Sequence, residues 1–163
     1  MNVMKKLLVA SVLAAVGTVA SAANYGIVDM QRVVESSTYL KQQNATLQQT
    51  VKPNATRAEQ LQSELQALQE KAANAKPNEV QQLKTQYEAK VREMNTLEQT
   101  VQQKVQQTSQ LTSQTFTARV QQAADQLRKE NNLDLVLNKN AVLAYDNTSD
   151  LTDKMIQKVN ATK

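Results

Sequence analysis

Between residues 36 and 131 apolar side chains recur every three to four positions with no strand-like alternation, which predicts long amphipathic helices. Leu40, Leu47, Val51, Ala58, Leu61, Leu65, Leu68, Ala72 and Ala75 fall on one heptad seam, and Asn44 and Asn54 fill its two remaining positions. Val80, Leu83, Tyr87, Met94, Leu97, Val101 and Val105 continue in the same way. The spacing then drifts through Thr108, Ser109 and Thr112 toward Phe116, Val120 and Leu127, so an irregular supercoil is expected. A Lys-Pro-Asn tripeptide occurs twice, at 52–54 and at 76–78, and either could mark the turn. A turn at Pro77 gives arms of about 39 and 54 residues that can pair along their length; one at Pro53 gives about 17 and 78, which cannot. The turn is therefore placed at 75–78, with Asn78 and Gln81 forming a capping-box-like start to the returning helix. Pro53 becomes a kink or brief break in the outgoing arm, at a cost of about 3 kcal/mol in a helix interior. At 1.5 Å per residue the longer arm reaches about 80 Å.

The flanks follow a different pattern. Tyr25-Gly26-Ile27-Val28-Asp29-Met30 is short, apolar and β-branched at its centre, which predicts a buried strand. Leu133-Asp134-Leu135-Val136-Leu137 begins with alternation, Asn138-Lys139-Asn140 offers turn chemistry, and Ala141-Val142-Leu143-Ala144-Tyr145 reads as another strand, so a β-hairpin is expected. Asp150 is placed as the N-cap of a final helix, with Asp153 in its first turn and Leu151, Met155, Ile156 and Val159 on one face. The fold class is α+β, mainly α: a helical hairpin over 36–130 projecting from a small β body made of 23–35 and 131–163. That body has about 46 residues and neither disulfide nor metal, below the roughly 70 at which a core stands alone. Oligomerisation is expected to complete it, through Ile27, Val28, Leu133, Leu135, Val136, Leu137, Val142 and Leu143.

Residues 1–22 carry Lys5 and Lys6, an uncharged apolar run over 7–16, and the small residues Ala20-Ser21-Ala22, the layout of a cleavable export signal cut after Ala22. An apolar core of about ten residues is too short to span a bilayer. Without Cys the mature N-terminus cannot be lipid-modified as in bacterial lipoproteins, so a soluble periplasmic protein is expected.

Composition narrows the chemistry. The 163 residues include no Cys, no His, two Gly and two Pro. A Cys/His zinc site, a Ser-His-Asp or Cys-His nucleophile and a redox dithiol are thereby excluded, and the isolated Gly17 and Gly26 cannot build a phosphate-binding loop. Neither a cofactor nor an ATP-driven cycle is expected, and no acid, base and donor set converges as an enzyme requires. The net charge of +4 falls to +2 once the signal is removed, with both signs mixed as in Glu88, Lys90, Arg92 and Glu93. Five scattered aromatic residues and no basic stripe give no support to nucleic-acid binding. The Gln/Thr/Ser stretch 106–115, with small polar seam residues, is a candidate hinge.

Tyr25-Gly-Ile-Val-Asp-Met30, the long helical hairpin, the block Leu133-Asp-Leu-Val-Leu-Asn-Lys-Asn-Ala-Val142, and Ser149-Asp-Leu-Thr before an amphipathic helix together resemble the Skp/OmpH family of periplasmic chaperones. The resemblance covers the mature chain; the second block is its specific part, since the arms match in periodicity alone. It implies a jellyfish-like homotrimer whose small β-barrel body carries three tentacles around a cavity. The implied activity is an ATP-independent holdase for unfolded outer-membrane β-barrel proteins on their way to the outer membrane. The family's tentacles are strongly basic, with an arginine pair on the returning helix associated with acidic clients and lipopolysaccharide. Here those positions align with Gln107 and Thr108, and 105–118 carries no charge, so no lipopolysaccharide site is carried onto this chain. Weak electrostatic contact with a client or membrane is left to Lys71, Lys76, Lys84, Lys90 and Arg92. Periodicity alone fits equally a non-chaperone periplasmic coiled-coil scaffold, which would bind a specific folded partner and ignore unfolded polypeptide.

Overall fold

The computed structural model describes residues 23–162; the expected export signal lies outside them. In chain order the elements are strand β1 (Tyr25–Val28), helices α1 (Met30–Ser36), α2 (Thr38–Ala73) and α3 (Pro77–Glu130), strand β2 (Leu135–Asn138), and helix α4 (Thr152–Ala161). Short 3-10 turns occupy Lys139–Ala141 and Asn147–Ser149.

The arm is the antiparallel pair α2 and α3, with its tip where the sequence places it. Pro77 stands at the first helical position of α3, where its missing N–H costs nothing, and Lys76 is the cap. The Lys76 N–H donates to Glu79 Oε2 at 3.2 Å, so Asn78 lies inside the first turn and the expected Asn78/Gln81 cap is displaced by two residues. Pro53 does not break α2, which runs unbroken through it with the proline on the exposed side. The break comes earlier, at Ser37. Its buried hydroxyl accepts the Leu40 N–H at 3.2 Å and separates α1 from the arm. Asn160 of α4 clasps this joint, accepting the Thr38 N–H at 2.9 Å while its amide donates to the Ser36 carbonyl at 3.2 Å.

The arm ends at the body in a Schellman turn. Leu133 N–H donates to the Arg128 carbonyl at 2.9 Å, Asn132 N–H to that of Lys129 at 3.3 Å, and Asn132 takes the left-handed conformation, φ 51°. That reversal delivers Leu133 to the core and starts β2.

The expected β-hairpin is not formed. β2 pairs instead with β1, in parallel, in the register Tyr25↔Leu135 to Val28↔Asn138. Asn138 puts its local hydrogen-bonding capacity into a 3-10 turn, its side chain accepting the Asn140 N–H at 3.2 Å, and residues 141–145 form no strand. Lys139 is held 3.3 Å from Asp29, which fixes the turn over the end of β1. On its other side β1 bridges the segment before α4, the Leu151 N–H donating to the Ile27 carbonyl at 2.8 Å. α4 starts one residue later than expected: Leu151 is its cap, while Asp150 Oδ1 accepts the Thr152 N–H at 2.8 Å.

The core of the body combines Val28, Val33, Leu151, Met155 and Val159 with Ala123 and Leu127 from the base of α3, and Phe116 and Val120 pack on it. The body is therefore larger than its strands and final helix alone, because the root of the arm is part of it. Gly26 lies beneath two leucines. A Cβ there would stand 2.6 Å from Leu151 Cδ1 and 2.9 Å from Leu133 Cδ1, so any larger residue has to displace both side-chain ends.

Candidate functional site

The helical pair and the open side of the body are the two surfaces that the fold leaves for function. Along the arm the seam closes best in the middle. Leu61 is fully buried there, with Leu65, Leu68, Leu83, Tyr87 and Met94 half-buried around it. A four-residue ion network joins the helices at the same level. Arg57 Nε donates to Glu93 Oε1 at 2.8 Å, Arg57 reaches Glu64 at 3.2 Å, and Lys90 Nζ lies 2.7 Å from Glu64 and 3.6 Å from Glu93. Each carboxylate serves two cations. The hydrogen bond from Lys90 holds the Glu64 carboxyl below its ordinary range, and Glu64 in turn raises Lys90. This cross-arm network was not anticipated from sequence; its signal is the charge flanking the seam positions on both helices, as at the e and g positions of a coiled coil.

Away from this clasp the pairing loosens. Asn44, Ala72, Val80 and Val105, all expected on the seam, are exposed. At the tip a crevice of about 660 Å³ opens between the helices, lined by Ala67, Ala75 and Leu83 together with Glu70, Lys71 and Glu79. Toward the body a second crevice, of about 320 Å³, separates Gln43 and Leu47 from Thr108 and Thr112. It falls within the stretch expected to act as a hinge, whose short hydroxyl side chains do not fill the gap. Below it the Arg119 guanidinium stacks over the Tyr39 ring, 4.1 Å from the centroid.

The five cations considered for electrostatic contact separate into two kinds. Lys71, Lys76, Lys84 and Arg92 are exposed toward the tip half of the arm. Lys90 is half-buried and engaged with Glu64 and Glu93. Acidic neighbours, Glu70 and Glu79 among them, share the tip, so the surface there is mixed in sign.

The residues considered for oligomerisation divide in the same way. Ile27 and Val28 are buried within the chain's own core, and Leu133 packs on that core. Val136, Leu137 and Val142 are half-buried. Leu135, on β2, is 37% exposed and Leu143, in the segment that follows, fully so; β2 has one side with no partner strand among the described residues. An open strand edge and a fully exposed leucine are features that a folded protein ordinarily covers.

No cluster of three or more His, Cys, Asp or Glu residues able to hold a metal occurs among the described residues. No helix among them is long and apolar enough to cross a membrane.

The model of the family "Outer membrane protein (OmpH-like)" matches residues 6–159. The crystal structure of an OmpH-like outer membrane chaperone from Caulobacter crescentus is similar over 86% of this chain and 86% of its own, with a TM-score of 0.71 and 19% identity. At that identity the likeness establishes the fold: long paired helices with a small strand pair. No curated protein matches the sequence.

Proposed function

Since the chain belongs to the OmpH-like family, we propose that it is an ATP-independent periplasmic holdase, which keeps unfolded outer-membrane β-barrel proteins from aggregating before they are inserted. The observation that carries this is the arm itself: two long helices, clasped around Leu61 and open as crevices on either side of it. A holdase must prevent aggregation yet release its client without fuel. Many weak contacts on long arms satisfy both demands, since linkage raises the effective concentration while each contact exchanges quickly.

The open edge of β2 and the exposed Leu135 and Leu143 support assembly through the body, as a homotrimer with three arms around a cavity. Strands from neighbouring chains would then cover one another's edges.

The test is a light-scattering titration in buffer without nucleotide. A urea-unfolded outer-membrane β-barrel protein is diluted into increasing concentrations of the chain from residue 23 onward. Suppressed scattering with a break near three chains per client is expected. Undiminished aggregation in the presence of demonstrably folded protein overturns the proposal and leaves a coiled-coil scaffold.

A further inference from the structure

On both helices of the arm the same level is empty of charge. α2 has no charged residue between Lys41 and Lys52, and α3 has none between Lys104 and Arg119. The two stretches are opposed in space, with Gln43 and Leu47 facing Thr108 and Thr112 across the crevice near the body. The band extends about 15–20 Å along the arm. Ion pairs bound it on both sides of the chain's charge pattern: the Arg57 and Glu93 network lies toward the tip, and Asp125 with its partners Arg128 and Lys129 lies at the root.

An exposed helix is ordinarily solvated by charges of mixed sign, as the rest of this arm is. The band has amides and hydroxyls instead. On α3, Gln107, Gln110, Leu111 and Gln114 are all exposed and follow the i, i+3, i+4, i+7 spacing of one helical face, with Leu111 56% exposed among the amides. A glutamine side chain both donates and accepts hydrogen bonds, the complement of the N–H and C=O that every non-proline residue of an unfolded chain presents. Lacking charge, such a face neither selects nor repels a client by the sign of its side chains.

We propose that this uncharged, amide-rich band is where the arm grips an unfolded polypeptide, through the client's main chain and its apolar side chains and not through its charge. The proposal rests on the holdase reading and adds to it the chemistry of recognition. A main-chain grip of this kind accepts clients of unrelated sequence, and its single hydrogen bonds, each in competition with water, are weak enough to exchange.

The experiment measures fluorescence anisotropy of a labelled, urea-unfolded outer-membrane β-barrel protein titrated with the chain from residue 23 onward. Between about 50 and 500 mM salt, affinity is expected to change by less than about twofold, because screened charges do not carry the contact. The triple variant Q107A/Q110A/Q114A is expected to bind about tenfold more weakly with undiminished helicity, since alanine is the strongest helix former and only the amides are removed. The pair Q62A/Q99A, exposed amides of the arm outside the band, is expected to bind like the parent. A parent whose affinity falls tenfold or more with salt, or a triple variant that binds as tightly as the parent, overturns the amide grip while leaving a holdase. A parent that binds no unfolded protein overturns the holdase function and the grip together.

Discussion

Arg57 and Glu93 lie on opposite helices of the arm, 36 residues apart in sequence, and meet with Arg57 Nε 2.8 Å from Glu93 Oε1. Their pairing lies one turn from Leu61, the one buried side chain of α2, so electrostatic and apolar contacts between the helices coincide at a single level.

Leu61→Ala removes the centre of that level. The loss of buried methyl groups plus the cavity left behind is expected to cost about 2–5 kcal/mol of arm stability. Helicity followed by far-UV circular dichroism through a urea titration checks this, and an unshifted midpoint would show that the arm is held elsewhere.

The ion network makes a different prediction about pH. Glu64 is held below its ordinary value of 4.5 by Lys90 first and Arg57 second, and Asp125 is lowered by Lys129 and Arg128. A carboxyl with a lowered folded pKa stabilises the fold fully above its unfolded pKa, and that stability is lost as the pH falls through the folded value. Melting temperature is therefore expected to be flat from pH 6 to 8, where a chain with no histidine has no side chain of ordinary pKa to titrate, and to fall below about pH 4.5. Because the groups are partly exposed, Glu64→Gln is expected to lower the melting temperature at neutral pH by a few degrees at most and to flatten the acid limb.

Gly26→Ala forces a methyl group against the tips of Leu133 and Leu151. Both are flexible side-chain ends, so the expected cost is modest, about 1–2 kcal/mol, and falls on the body. Pairing the change with Leu151→Val is expected to return part of the loss, as measured by chemical denaturation. Strict additivity of the two changes would contradict the contact.

Leu143→Asp tests assembly without disturbing the chain's own core, since Leu143 is fully exposed. Self-association through the body is expected to weaken at least tenfold in sedimentation experiments, because a charge in place of an apolar contact has to be desolvated when the surface is covered. An unchanged sedimentation coefficient would place the assembly surface away from this leucine.

The parts of the fold that were legible in the sequence are those dictated locally. A period of three to four residues identifies the helices, and Pro77 locates the tip because proline is accepted at the first position of a helix and disfavours the helical conformation before it. Pairing across the body was not legible. Tyr25 and Leu135 are neighbours in a parallel ladder although 110 residues separate them, and no local signal encodes that register. Asn138-Lys139-Asn140 looked like a hairpin turn because its residues do favour turns; they form a 3-10 turn that leads away from the sheet instead. The sequence places the hairpin's start at residue 36, next to the break at Ser37, but what secures that break was not legible. Ser37 caps the arm locally, but the clasp that holds the joint comes from the far end of the chain, in the amide of Asn160. Of the candidate assembly residues, Leu135 and Leu143 stand at the surface, whereas Ile27 and Val28 lie inside the chain's own body, Val28 against Met155 and Val159 of α4, a partner that strand patterning alone does not reveal.

The parallel pairing of β1 and β2 also orders events in time. During synthesis the first strand leaves the ribosome more than a hundred residues before its partner exists, and it must wait, unpaired, while the whole arm is made. Closing so long a loop from a disordered chain is slow, since its entropy is lost before any contact rewards it. A zipped arm shortens that search, because its two feet already stand side by side where the strands must meet. The arm is thus the jig on which its own body is assembled.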